Sequence, residues 1–305
     1  MDETPILICY DGSEDARRAV IVAASLLRER TAVVLDVGPL QMVAGDYVAL
    51  DDDAMNVDRL TAEDALARAK SGAELAREAG FLAKARSEVD TPTWQGIVNV
   101  ADQIGAAAIV IGSNGQSHIR ELLSGSPSHE VAAHAGRPVL IVPRLRPISQ
   151  LAEHASAEHD AVRADDMPIL ICYDGHEGGR RAIVSAGSLL SARRAVVVEI
   201  VRPTVSEGYA AAAADGPDVD YTDYEDARAR VNDGAAYAQS AGLSAEGRVV
   251  VEQRTSRGIV NVADDIGAAA IVFGSGGLTG IRETFHRSLS HQVAARAGRP
   301  VLVVP

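Results

Sequence analysis

The sequence predicts two tandem copies of one α/β domain, each a five-stranded parallel sheet with helices on both faces. Three observations lead there. First, the 305-residue chain repeats itself: PILICYDG at 5–12 recurs at 168–175, IVNVAD at 97–102 at 259–264, IGAAAIV at 104–110 at 266–272, and GRPVL at 136–140 at 298–302. The offset is 163 early and 162 late, so the copies differ by one residue somewhere between, and a unit this long is a domain rather than a solenoid repeat. Second, strand-length apolar runs alternate with segments of helical period, the order that builds a parallel sheet through right-handed crossovers. Third, those runs are continuously apolar rather than alternating, as in strands covered on both faces.

Taken in order, the first unit opens with ILICY at 6–10 as a buried strand. Ser13 is placed to cap a helix running to about Glu29, with Ala16, Ala19, Val20, Ala23 and Leu27 on one face. AVVLDV at 32–37 is the second strand. A long segment at 39–60, matched by 204–222, reads as a loop with an acidic run at Asp51, Asp52 and Asp53, expected to be solvated rather than to hold a cation. Thr61 opens a helix through Ala79 that stops at Gly80, a residue suited to a left-handed cap. FLAKARSEV at 81–89 is the third strand, Trp94–Ile104 a helix ended by Gly105, and 106–112 the fourth strand. Residues 126–136 form a short helix with Ser126 as cap and Pro127 in its first turn, and 138–142 is the fifth strand. The second unit repeats this order. The boundaries expected are 1–143, a polar linker at 144–166, and 167–305.

Composition narrows the function. A net charge of −13 disfavours nucleic acid and anionic membranes, which are held through lysine and arginine. No apolar run approaches the roughly 18 residues of a membrane span, and the N-terminus lacks an export signal, so a cytoplasmic protein is expected. Cys9 and Cys172 sit at equivalent places inside apolar strands and read as small hydrophobic residues, not as a disulfide or metal site.

The chemistry gathers after the fourth strand. There the first unit reads GSNGQSHIRELLSGSPS, with the spacing Gly112-x2-Gly115-x9-Gly125-Ser126 ahead of a helix. Backbone N–H groups at a helix N-terminus bind anions, and the peptide dipoles favour negative charge there. Gly112 and Gly115 leave backbone N–H groups open to a phosphate chain, and the hydroxyls of Ser126 and Ser128 add donors. Doubly wound sheets bind ligands where the winding reverses. In a flavodoxin-like order, Asp11 at the end of strand one would face the glycine loop across that crevice. No G-x-x-x-x-G-K-[ST] occurs, neither lysine (Lys70, Lys84) lies near the loop, and the DGSED turn lacks the glycines of a dinucleotide fingerprint. A P-loop NTPase and a Rossmann dehydrogenase are thereby disfavoured.

These residues resemble the universal stress protein (UspA) family in its tandem two-domain form, through YDGS at the first strand end, the G-x2-G-x9-G-S signature and the closing RPVLIVP. The resemblance implies a flavodoxin-like, adenine nucleotide alpha hydrolase-like fold with strand order 3-2-1-4-5. It implies an ATP site at Asp11, Val37, Gly112, Ser113, Gly115, Gly125, Ser126, Pro127 and Ser128, with Mg²⁺ accompanying the phosphates. Asn114 and Pro127 depart from the family pattern without blocking that site. The second unit carries a weaker version at Asp174, Val201, Gly274, Gly277, Arg287, Ser288 and Ser290. There Arg287 replaces the third glycine and either obstructs the backbone approach or bonds a phosphate, and His176 replaces the serine after Asp174-Gly175. The resemblance further implies a non-enzymatic, ATP-binding stress regulator. Its two domains would pair through their fifth strands as an internal pseudo-dimer, and homodimerisation would follow by the same analogy. The alternatives are a slow ATPase or nucleotide hydrolase, with Asp11 and Glu121 the carboxylates near the loop, or a scaffold that has lost its ligand.

The equivalent pairs His129/His291 and Arg120/Arg282 lie near the presumed phosphates. A helix-start histidine, and a surface ion pair with Glu121 or Glu283, are the simpler readings. Trp94 has Ser256 as its counterpart and reads as a packing or surface residue.

Overall fold

A computed structural model describes residues 4–28, 31–39, 52–113, 127–143, 167–192, 194–203, 221–274 and 289–305. The chain divides into two compact units, Met1–Leu145 and Arg146–Pro305. The expected linker at 144–166 lies outside the described residues.

The first unit runs β1 (Ile6–Cys9), α1 (Glu14–Leu26), β2 (Thr31–Gly38), α2 (Asp52–Glu78), β3 (Leu82–Val89), α3 (Thr93–Gln103), β4 (Ile109–Gly112), α4 (Pro127–His134) and β5 (Val139–Val142). All pairings are parallel, in the order β3-β2-β1-β4-β5. Helix α1 packs beside α2, and α3 beside α4. Right-handed crossovers from this strand order set the first pair on one face of the sheet and the second pair on the other. The continuously apolar strands are explained by that double cover. Ile6, Leu7 and Ile8 in β1, Ile109 and Val110 in β4, and Val139 and Leu140 in β5 are fully buried. Burial of each such side chain is worth about 1.5–3 kcal/mol. The core is aliphatic, as the scarcity of aromatic residues requires.

The second unit repeats the design with β6 (Ile169–Cys172), α5 (Glu177–Leu189), β7 (Arg194–Val201), α6 (Tyr221–Ser240), β8 (Ser244–Val251), α7 (Thr255–Asp265), β9 (Ala270–Gly274), α8 (Leu289–Ala294) and β10 (Val301–Val304). Its strand order, β8-β7-β6-β9-β10, is again all parallel. The fold class read from the sequence is the one observed.

Two local expectations change. The helix expected from Thr61 begins at Asp52, so Asp52 and Asp53 open α2 instead of lying in a loop. Acidic residues suit the first turn of a helix, so an acidic run in sequence is compatible with a helix start. The fourth strand is shorter than expected, because Ala106–Ala108 precede regular pairing. Ala107 N–H already donates to Pro5 O (2.9 Å), and Leu7 N–H to Ala108 O (2.9 Å). The glycine stop after α2 stands as expected, with Gly80 at φ 100°.

The GRPVL repeats have a structural task. Arg137 donates to Ala101 O (3.0 Å) and Ala106 O (2.6 Å) at the end of α3 and pairs with Asp102. Arg299 does the same after α7, donating to Ala268 O and to Asp264 at 2.6 Å. Each arginine ties the entry to a fifth strand to the end of a helix, Arg137 through the Ala101 carbonyl of α3 and Arg299 through the Asp264 side chain of α7, where a cation also suits the dipole. Among the described residues, no helix is long and apolar enough to cross a membrane.

Candidate functional site

The order of strands creates a crevice. From β1 the chain winds outward through β2 to β3, then returns to place β4 on the other side of β1, with Leu7 opposite Ile109 and Ile8 opposite Val110. The turn after β1 and the loop after β4 therefore leave the sheet side by side, at the point where an open α/β sheet receives ligands.

The β1 turn is fixed by its own side chains. Asp11 Oδ1 accepts from Ser13 N–H (3.0 Å), and Ser13 Oγ accepts from Ala16 N–H (3.1 Å), capping α1. Gly12 between them sits at φ 81°, the left-handed region that a glycine enters without strain. The end of β4 presses on that same helix start. A Cβ on Gly112 would lie 3.1 Å from the backbone carbon and oxygen of Asp15, so the space a side chain would need is filled by the first turn of α1. Ser113 N–H donates to Val142 O at the end of β5 (2.9 Å), and the buried Ser128 hydroxyl donates to Ser113 O at 3.5 Å. Asp11, Gly112, Ser113, Pro127 and Ser128 thus border one crevice. Val37 stands one strand away at the end of β2, close to Gly96 of α3. Gly115, Gly125 and Ser126 lie outside the described residues, as do Asn114, Arg120 and Glu121.

The second unit keeps part of this. Asp174 Oδ1 accepts from His176 N–H (3.1 Å), but His176 forms no side-chain cap on α5. A Cβ on Gly274 would come within 2.0 Å of Gly178 O, an even closer strand–helix approach than in the first unit. Ser290 is buried in α8. Val201 occupies the register of Gly38, facing Val251 as Gly38 faces Val89. The counterpart of Val37 is Ile200. Gly277, Arg287, Ser288 and Arg282 lie outside the described residues.

An ion pair at the rim was not singled out from the sequence. Asp36, buried in β2, accepts from Arg68 Nε of α2 at 2.5 Å. Glu199 of β7 and Arg230 of α6 form the equivalent pair, with contacts of 2.9 Å to Oε2 and 2.6 Å to Oε1. Burial pushes the Asp36 carboxyl above its ordinary value; Arg68 opposes this and the neighbouring Asp11 adds to it. The signal was available: Asp36 and Glu199 are the acids within otherwise apolar strand runs, at matching places in both copies. Burial likewise pushes the half-buried Cys9 and Cys172 thiols up, with the charge of Asp11 and of Asp174 adding to it. Trp94 stacks on His134 with ring centroids 4.6 Å apart, joining α3 to α4. His129 lies in the first turn of α4, half-buried. Among the described residues no group of three or more His, Cys, Asp or Glu is placed to hold a metal ion.

Fold and crevice together define a duplicated, doubly wound α/β domain of the flavodoxin-like class, with its ligand-side loops at the β1/β4 switch point. The model of the universal stress protein family matches residues 4–143 and again 167–305, and the chain belongs to that family. It is 29% identical over 144 residues to the universal stress protein YxiE of Bacillus subtilis, which covers 45% of this chain and 97% of that protein. It is 32% identical over 139 residues to a universal stress protein of Thermus aquaticus, covering 45% and 96%. A universal stress protein of Archaeoglobus fulgidus has the same fold along almost the whole length, with a TM-score of 0.62 at 18% identity, covering 98% of this chain and 95% of that one.

Proposed function

We propose that this protein is a non-enzymatic, ATP-binding stress regulator, with its principal nucleotide site in the crevice of the first unit. The observation that carries the reading is the adjacency of β1 and β4, which sets the Asp11 turn beside Gly112 and Ser113 at the switch point. The residues present suit a nucleotide. The helix beginning at Pro127 offers the N–H groups of its first turn to phosphates, beside the strand end at Gly112 and Ser113. Asp11 suits the ribose hydroxyls, Val37 the base, and Gly115, Gly125, Ser126 and Ser128 the phosphate chain. Mg²⁺ would be carried in on the phosphate oxygens.

The second crevice would take nucleotide more weakly through Asp174, the β7 end, Gly274, Gly277, Ser288 and Ser290, with Arg287 deciding the outcome. Residues 1–143 and 167–305 act as the two functional domains in this reading. They pair through β5 and β10 as an internal pseudo-dimer, with homodimerisation as a further level, in the cytoplasm. Bound nucleotide biases that arrangement, and a protein partner reads it.

Calorimetric titration of nucleotide-stripped protein with ATP and Mg²⁺ tests this, beside Gly125→Arg, which copies the second unit's arginine into the first. Wild-type binding that is lost from the first site in the variant supports the reading. Absence of any wild-type binding refutes it. A turnover assay on the same samples separates binding from hydrolysis.

A further inference from the structure

We propose that the acid–arginine pair at the end of the second strand, Asp36–Arg68 in the first unit and Glu199–Arg230 in the second, positions the neighbouring Asp-Gly turn for ligand. This inference rests on the nucleotide reading of the crevice and assigns it a device beyond the residues that line it.

The placement is systematic. Both acids occupy the same register of the second strand, opposite Ser87 and Val249 of the third. Both arginines come from the helix that follows, so each pair ties that helix to a strand end. In the second unit the arginine reaches the turn itself. A Cβ on Gly175 would lie 2.9 Å from Cδ of Arg230, so the methylene stem of Arg230 roofs the residue after Asp174. The guanidinium beyond that stem is held bidentate by Glu199, and a planar fork so held has little freedom left. Gly175 is at φ 83°, so the turn has a shape that the roof preserves and that no other residue would hold without strain.

In the first unit the acids themselves are the problem that the arginine solves. The backbone ladder between β1 and β2 continues to Tyr10 N–H and Leu35 O (2.8 Å), which leaves Asp11 and Asp36 leaving neighbouring strands at nearly one level. Two carboxylates so close repel. Arg68, bound to Asp36 at 2.5 Å, offsets the buried charge beside Asp11, whose own carboxylate oxygen accepts from Ser13 N–H. Arg68 and Arg230 are therefore positioning residues, acting on the ligand through Asp11 and Asp174.

The test uses the full chain, ATP titration, and two first-unit variants. Arg68→Met leaves Asp36 without its cation, and both stability and first-site affinity are expected to fall, the affinity at least tenfold. Asp36→Asn combined with Arg68→Met removes both charges. Thermal stability and first-site affinity are both expected to recover toward wild type, because the carboxylate that repels Asp11 is gone. Affinity that stays weak in the double variant while stability recovers overturns the inference, since the Asp36 charge would then not be what Arg68 keeps from disturbing Asp11. Unchanged affinity in Arg68→Met overturns it as well while leaving the nucleotide reading intact. Absence of ATP binding by the wild type overturns both. Arg230→Met is the parallel test in the second unit, with loss of that site's share of the stoichiometry expected and its retention counting against the proposal.

Discussion

Replacing Arg299 by methionine is expected to destabilise the second unit by about 3 kcal/mol, twice the effect of the same change at Arg137. The magnitude follows from what each arginine holds. Arg299 is 5% exposed and serves both Asp264 and the carbonyl of Ala268. Breaking a buried ion pair by deleting one partner costs about 3–5 kcal/mol. Asp264 is 36% exposed, so its carboxylate rehydrates and the charge penalty falls to the lower part of that range or below. The stranded carbonyl adds about 1–3 kcal/mol, and methionine restores part of the lost packing. Arg137 is 19% exposed and its partner Asp102 is 60% exposed, so that pair is close to a surface bridge worth about 0–1 kcal/mol. What remains there is one stranded carbonyl, that of Ala106, because Ala101 O keeps its bond from Ala106 N–H, for about 1.5 kcal/mol in all. Urea unfolding of the two variants and wild type, followed by far-UV circular dichroism, gives the comparison. Asp264→Asn added to Arg299→Met is expected to recover part of the loss. Equal costs at the two sites, or less than about 1 kcal/mol at Arg299, would refute the reasoning that burial of the pair sets its worth.

Three further outcomes are expected. The raised pKa of Asp36 means that the folded state holds a proton the unfolded chain has already released. Its contribution to stability is therefore full below the ordinary carboxylate value and is lost as pH rises through the raised value. Stability–pH curves for wild type and Asp36→Asn should diverge in that acidic window, and parallel curves would contradict it. Cys9 and Cys172 should resist iodoacetamide at pH 8 in the native protein and react fully in denaturant, as counted by mass spectrometry. Ser13→Ala should cost about 1 kcal/mol by removing the cap on Ala16 N–H. His176→Ala, where no cap bond exists, should cost distinctly less by the same urea assay.

What could be read from the sequence divides along physical lines. The repeats, the apolar strands and Ser13 as a cap follow from short-range pattern, and the parallel sheet follows from their alternation. The start of α2 was missed because Asp52 and Asp53 satisfy two descriptions equally, a solvated acidic loop and a first helical turn. Only the continuation of the chain decides between them. Gly112 was legible as a glycine that needed a reason. The reason in the structure is the first turn of α1 packed 3.1 Å from where its side chain would be, a contact across nearly a hundred residues that spacing alone does not disclose. The Asp36–Arg68 pair was half-legible: a lone acid in an apolar strand demands a partner, but which arginine supplies it depends on how α2 lies on the sheet. Val201 is a miscount: the 163-residue offset of the first strands still holds along the second, so number and register agree on Ile200 as the counterpart of Val37.

The stack of Trp94 on His134 makes the molecule optically one-sided. The indole is the sole one in the sequence, and its place in the second copy is taken by Ser256. Light emitted at indole wavelengths therefore originates at the α3–α4 seam of the first unit, against the stacked ring of His134. Tyrosine and amide signals come from both copies. A titration or melt recorded in the two channels at once is a differential measurement between two halves of one chain, obtained without attaching a dye.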